Sequence, residues 1–245
     1  MKQYKKLGQV FLHNPRILER EAEIAEVTDK TVLEIGPGDG RLSEKILLKN
    51  PKKLILVEKD TRFIELLKNR FSSDARIEIV NADILEYPLP FVDVIIGNIP
   101  YYISSSIIFG LKNTPCEKII LIVQKEFAEK MIAKPDDSNY GRLSVTSQLF
   151  FEVKYIMTVP KMFFSPPPKV DSALITLVPS GRKITHYEEE VINLLFQHKN
   201  QTVRSALKHA KKWDMKKLGI LEEFLKRRVR TLTKEECLAI AQRLK

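Results

Sequence analysis

Residues 97–102 read GNIPYY and follow the apolar run VDVII. A carboxamide at the end of a buried strand suits chemistry on the exocyclic amine of a nucleobase. Such an amine is a weak nucleophile because its lone pair is delocalised into the ring. Two acceptors, the side-chain oxygen of Asn98 and the backbone carbonyl of Ile99, can grip its two hydrogens and favour a pyramidal nitrogen facing a methyl donor. Pro100 fixes the backbone, and Tyr101 offers a ring on which the base can stack. No strong base is needed, since the proton can leave after the methyl has arrived.

A second constellation lies upstream. The segment EIGPGDGRL, residues 34–42, places glycines at 36, 38 and 40, which permit a tight turn and close approach of a ligand to the backbone. Glu58 follows Gly38 by twenty positions and ends the next apolar run, where a carboxylate can accept both hydroxyls of a ribose. Asp83, in NADIL, occupies the matching position one run later; it can accept from an adenine amino group while Ile84 walls the ring. These features suit a nicotinamide dinucleotide as well as an adenosyl sulfonium cofactor. Two details favour the second. Arg41 stands where the dinucleotide fingerprint needs Gly or Ala, and Asp39 lies where a pyrophosphate would sit. Like charges about 5 Å apart cost roughly 3 kcal/mol at an effective dielectric near 20.

The elements that must position these residues follow from periodicity. Short apolar runs at 31–35, 53–59, 76–80, 92–97 and 118–124 alternate with amphipathic helical stretches such as 40–50 and 60–71. Alternation implies parallel strands joined by right-handed crossovers. The later runs at 152–159 and 171–178 are separated by KMFFSPPPK, too short for a helix, and read as an antiparallel hairpin at one sheet edge. From residue 184 the pattern is helical throughout, including a helix over 215–228, and Pro-Ser-Gly at 179–181 marks the change. The expected organisation is a Rossmann-like α/β domain over 1–181 and a small all-α domain over 182–245.

Charge follows the same division. Residues 182–245 carry sixteen Lys and Arg against eight acids, whereas the preceding 181 residues are nearly balanced at 25 against 23. A basic helical tail is the electrostatic footprint expected for a polyanion such as RNA, with Lys208, Lys211, Lys212 and the run KRRVR at 226–230 as candidate phosphate ligands. No stretch approaches the roughly 20 apolar residues of a membrane span, and MKQYKK lacks a secretory signal's apolar segment. A cytoplasmic protein without membrane contact is expected. Cys116 and Cys237 stand far apart without neighbours at ligand spacing, so free thiols and no metal site are expected.

Six motifs in register, GQVFL, EIGPGDGRL, VEKD, NADIL, NIPYYISS and FSPPPKVDSAL, resemble the ribosomal RNA adenine dimethyltransferases whose loss confers kasugamycin resistance. The resemblance spans almost the whole chain. It implies a class I methyltransferase fold with S-adenosylmethionine held by Gln9, Val10 and Leu12, by Gly36 and Gly38, by Glu58 on the ribose, by Asp83 and Ile84 around the adenine, and by Asn98 at the end of the fourth strand. It implies Asn98, Ile99, Pro100 and Tyr101 as the target-amine motif and Phe164 as an aromatic near the target base. Val10 replaces the Asn or His of many members, so only its main chain carries over; Ile99 replaces the usual Leu, which leaves its carbonyl unaffected. The implied substrate is a pair of adjacent adenines near the 3′ end of small-subunit rRNA, in the small ribosomal subunit or its precursor, with the enzyme acting as a monomer. Large-subunit adenine methyltransferases of the macrolide-resistance type share the amino-terminal motifs. A non-catalytic RNA-binding assembly factor on the same fold is the further alternative, against which the intact Gly36, Glu58, Asp83 and Asn98 argue.

Overall fold

Buried β-branched runs form the framework. In the computed structural model, which describes residues 10–210 and 212–245, the first half alternates strand and helix: β1 Phe11–Leu12, α1 Pro15–Ala25, β2 Thr31–Ile35, α2 Arg41–Leu47, β3 Lys53–Glu58, α3 Thr61–Arg70, β4 Ile77–Asn81, β5 Val94–Asn98, α4 Ser104–Gly110 and β6 Lys118–Gln124. There follow α5 Lys125–Ile132, α6 Arg142–Phe150, β7 Phe151–Val159, β8 Phe164–Ser165 and β9 Ser172–Pro179, and then α7 His186–Gln197, α8 Val203–Ala210, α9 Glu222–Leu225 and α10 Lys234–Arg243.

Seven strands make one sheet in the order β4-β3-β2-β5-β6-β9-β7. The pairs β3–β4, β2–β3, β2–β5 and β5–β6 are parallel, and β9 returns antiparallel to β6. The Rossmann-like sheet with a returning edge is therefore the one expected. From β2 the chain builds outward to β3 and β4, then crosses back to β5 and β6, so the order reverses between β2 and β5. Open α/β sheets bind ligands beyond the carboxyl ends of the strands at such a reversal. Here those ends carry the glycine loop and Asn98.

Local chemistry sets the helix starts. Asn14 Oδ1 accepts from the backbone N–H groups of Arg16 and Ile17 at 3.1 and 3.2 Å, with Pro15 opening α1. Asp60 caps α3 through the Arg62 N–H at 3.1 Å. Thr185 and Thr233 begin α7 and α10 with capping boxes closed by Glu188 and Glu236.

Two compact units result: residues 1–128 with 154–179, and residues 129–153 with 180–245. The second join falls two residues before the expected cut at 181, but 129–153 also belongs to the helical unit. It is held there by Tyr140, whose hydroxyl donates to the Leu232 carbonyl at 2.6 Å and whose own carbonyl accepts from Lys199 Nζ at 3.0 Å. The expected helix over 215–228 is a correction. Met215–Leu221 is 3-10, and only Glu222–Leu225 is α-helical. Buried Leu218 and Leu221 stand three residues apart, the period of a 3-10 turn, before the buried pair Phe224 and Leu225 of α9.

Candidate active site

The loop after β2 turns sharply because Gly36, Gly38 and Gly40 all adopt positive φ, at 64°, 54° and 82°. Gly36 donates its N–H to the Val57 carbonyl at 2.9 Å, tying the loop to β3. A Cβ on Gly38 would meet the Phe11 ring at 2.8 Å, so β1 lies directly on the loop. In turn β1 is held by β8, with Leu12 opposite Phe164 in antiparallel register. The Pro-rich segment thereby fixes the amino-terminal strand over the glycines.

Two adjoining spaces open here. One, of about 100 Å³, is lined by Val10, Phe11 and Leu12, by Glu34 and the loop from Gly36 to Asp39, and by Glu58, Asn98, Ile99 and Pro100. The other, of about 510 Å³, is lined by Gly36, Glu58 to Arg62, Ala82 to Ile84, Pro100 and Tyr102. Gly36, Glu58 and Pro100 wall both.

Glu58 is held rigidly at their junction. Its Oε2 accepts from Gly38 N–H at 3.0 Å and its Oε1 from Asp60 N–H at 2.8 Å. Each carboxylate oxygen keeps a second lone pair, so ribose hydroxyls can still be accepted. Burial raises its pKa, opposed by those two N–H groups, and only 5% of the residue is exposed. Asp83 is engaged as well: Oδ1 accepts from Leu85 N–H at 3.0 Å and Oδ2 from Lys59 Nζ at 2.6 Å, and the ammonium lowers its pKa. Asp39 pairs with Arg41 at 3.0 Å, so the loop carries less net negative charge than its acid alone implies.

Beneath the loop sits an acidic interior. Burial drives the Glu34 carboxyl up to about 8, although the Ser43 hydroxyl donates to it at 2.6 Å. Glu21 on α1 is 0% exposed, and burial together with nearby Glu34 holds its pKa well above the carboxylate range.

Val10, Leu12, Gly36, Gly38, Glu58, Asp83, Ile84, Asn98, Ile99 and Pro100 thus meet around these two spaces. Gln9 lies outside the described residues. Tyr101 lines neither space; its hydroxyl shares a 2.6 Å hydrogen bond with Ser172 on β9, while the neighbouring Tyr102 is 68% exposed and lines the larger one. Phe164 is 3% exposed and packs in the core with Leu12, Leu174 and Val159, with Phe163 half-buried beside it. Sequence reasoning passed over Glu21, Lys59, Tyr102 and Ser172. Glu21 carried a signal: it falls in the helical stripe of Ile17, Leu18, Ala22 and Ala25, where an acid is out of place.

A pinned carboxylate at a strand end, a second acid beside an apolar wall and an open glycine face fit a ribose, an amine and a purine ring. With a carboxamide at the adjoining strand end, the fold and this cleft define a methyltransferase of the Rossmann-like class. Comparison narrows the class. The family description "Ribosomal RNA adenine dimethylase" matches residues 1–245, and the chain belongs to that family. A Methanopyrus kandleri protein named "Probable ribosomal RNA small subunit methyltransferase A" is 42% identical over 210 residues, covering 83% of this chain and 75% of its own. The crystal structure of a dimethyladenosine transferase from Plasmodium falciparum superposes with a TM-score of 0.85 at 32% identity, covering 94% of this chain and 95% of that one. That of the 23S rRNA methyltransferase ErmE gives 0.72 at 28%, covering 96% and 99%.

Proposed function

We propose that this chain converts two adjacent adenines near the 3′ end of small-subunit rRNA to dimethyladenosine, using S-adenosylmethionine. It acts in the cytoplasm, as a monomer, on the small ribosomal subunit or its precursor. Family membership supports the reaction class; the observation that carries the residue assignment is Asn98, which closes β5 in the wall shared with Gly36, Glu58 and Ile99.

When bound, S-adenosylmethionine supplies an electrophilic methyl on a positively charged sulfur. Glu58 holds the ribose hydroxyls, Asp83 and Ile84 take the adenine, and Gly36, Gly38 and the main chain of Val10 and Leu12 shape the floor. Asn98 Oδ1 and the Ile99 carbonyl accept the two hydrogens of the target amine and draw its lone pair out of conjugation. Pro100 fixes the turn that presents them. The Tyr101 ring is steadied through Ser172 for contact with the base. Phe164 positions β1 through its strand pairing and, on the strength of the resemblance, approaches the target base. After the first transfer one N–H remains for one acceptor, and the departing proton passes to water.

Incubation with labelled S-adenosylmethionine and unmodified small subunits should place dimethyladenosine in the small-subunit RNA. Large subunits run in parallel test the ErmE-like reading, which the 0.72 superposition keeps in play; label confined to the large-subunit RNA would replace the small-subunit assignment. Asn98→Ala should lower kcat at least about a hundredfold with cofactor affinity little changed. Full turnover by that variant would remove the acceptor mechanism.

A further inference from the structure

The acidic interior under the glycine loop holds a group that the proposed chemistry leaves unused. Glu21 is fully buried on the apolar stripe of α1, and neither of its carboxyl oxygens has a hydrogen-bond partner. The side chain of Asn98 lies against it, close enough to lower the carboxyl's pKa, yet Asn98 Oδ1 is itself buried and unpartnered. Three orphaned oxygens in one place are costly, since each forgoes the hydrogen bonds it had in water.

One amide orientation relieves the conflict. Oδ1 and Nδ2 have nearly the same shape, so the amide can sit either way about its last side-chain bond. With Nδ2 toward Glu21 it donates to a carboxyl oxygen, and Oδ1 is turned toward the cavity that Asn98 lines. The opposite solution, a protonated Glu21 donating to Oδ1, leaves Nδ2 pointing at the substrate. A donor there would repel the hydrogens of an incoming amine.

We propose that Glu21 is a positioning residue that orients the Asn98 amide, holding Nδ2 so that Oδ1 is presented to the target amine. This rests on the assignment of Asn98 given above. Glu21 touches no substrate in this arrangement and acts only through Asn98.

Glu21→Met removes the acceptor at similar volume, and Glu21→Leu repeats the test with a different shape. Either should lower kcat about ten- to a hundredfold, with the affinity for S-adenosylmethionine within about threefold of wild type and a cooperative thermal melt that shows the variant is folded. Glu21→Gln, which keeps an acceptor oxygen in place, should recover kcat to within about threefold. The proposal is overturned if Met and Leu keep kcat within about twofold, or if Gln is no better than they are. Asn98→Ala measured alongside separates the two ideas. If it is inactive while Glu21→Met is active, only the role of Glu21 falls; if it turns over fully, the acceptor assignment falls and this inference with it.

Discussion

At Gly97 the backbone of β5 passes so close to β2 that no side chain fits. A Cβ there would stand 2.6 Å from the Ile35 carbonyl oxygen, which belongs to the strand and cannot give way. Gly97→Ala should therefore cost about 1–3 kcal/mol, read as a lower urea midpoint, and should displace the adjacent Asn98 and slow turnover. A variant as stable and active as wild type would contradict this account of the crossing. Residue spacing along the chain placed Gly36, Glu58, Asp83 and Asn98 at or just beyond strand ends, and there they line the two spaces, Asp83 the larger and Asn98 the smaller. Interactions made across the fold were not legible. That Tyr101 bonds to Ser172, 71 residues away, and that Lys59 engages Asp83 depend on strand order and side-chain reach, which spacing does not encode.

Among the elements, β2 and α2 share the buried Glu34–Ser43 pair, and this makes stability depend on pH. The carboxyl titrates near 4.5 when exposed and at about 8 in the fold. Between those values the folded state holds a proton that the unfolded chain has released, so stability is greatest at the acidic end and falls as pH rises. The slope for one group is roughly 1 kcal/mol per pH unit. Glu34→Gln, which cannot ionise but can still accept from Ser43, should flatten the dependence of unfolding free energy on pH across this window; denaturant melts between pH 5 and 8 that keep the wild-type slope would show that Glu34 is charged in the fold. The seven strands of the main sheet were legible to within two residues because runs such as 31–35 and 118–124 are largely buried, whereas the short pair β1 and β8 was not. The segment 215–228 was not, since apolar residues at three- and four-residue spacings satisfy an α pattern even where Gly219 interrupts it and packing selects a three-residue period.

At the scale of the whole molecule, the change of composition near 181 falls beside the join at 179–180. It could not disclose that 129–153 joins the second unit, because that contribution rests on long-range bonds such as Tyr140 to Leu232. The same limitation applies to the basic tail. Several of its cations are already committed inside the unit: Lys212 pairs with Glu190 at 2.8 Å, Arg230 with Asp136 at 2.9 Å, and Arg227 grips both oxygens of Glu236 and the Thr231 carbonyl. Lys211 lies outside the described residues. Among the described residues, exposed Arg204, Lys208, Lys226 and Arg228 have no ion pair, and the bridge between Thr202 and Arg228 sets the start of α8 beside the 226–230 run. Exposed Arg182 and Lys183 also have no ion pair, and we propose the four near this bridge as the cations that meet RNA phosphates. Each alanine substitution among them should weaken RNA binding and reduce the slope of log affinity against log salt by about 0.7–0.9 for every phosphate left without its cation. Arg227→Ala should behave differently: it uncouples α10 from the 226–230 run, so it should lower the melting temperature while leaving the salt slope of the folded protein nearly unchanged. If instead Arg227→Ala reduces the slope and the four exposed substitutions do not, the phosphate-binding face lies elsewhere on the helical unit.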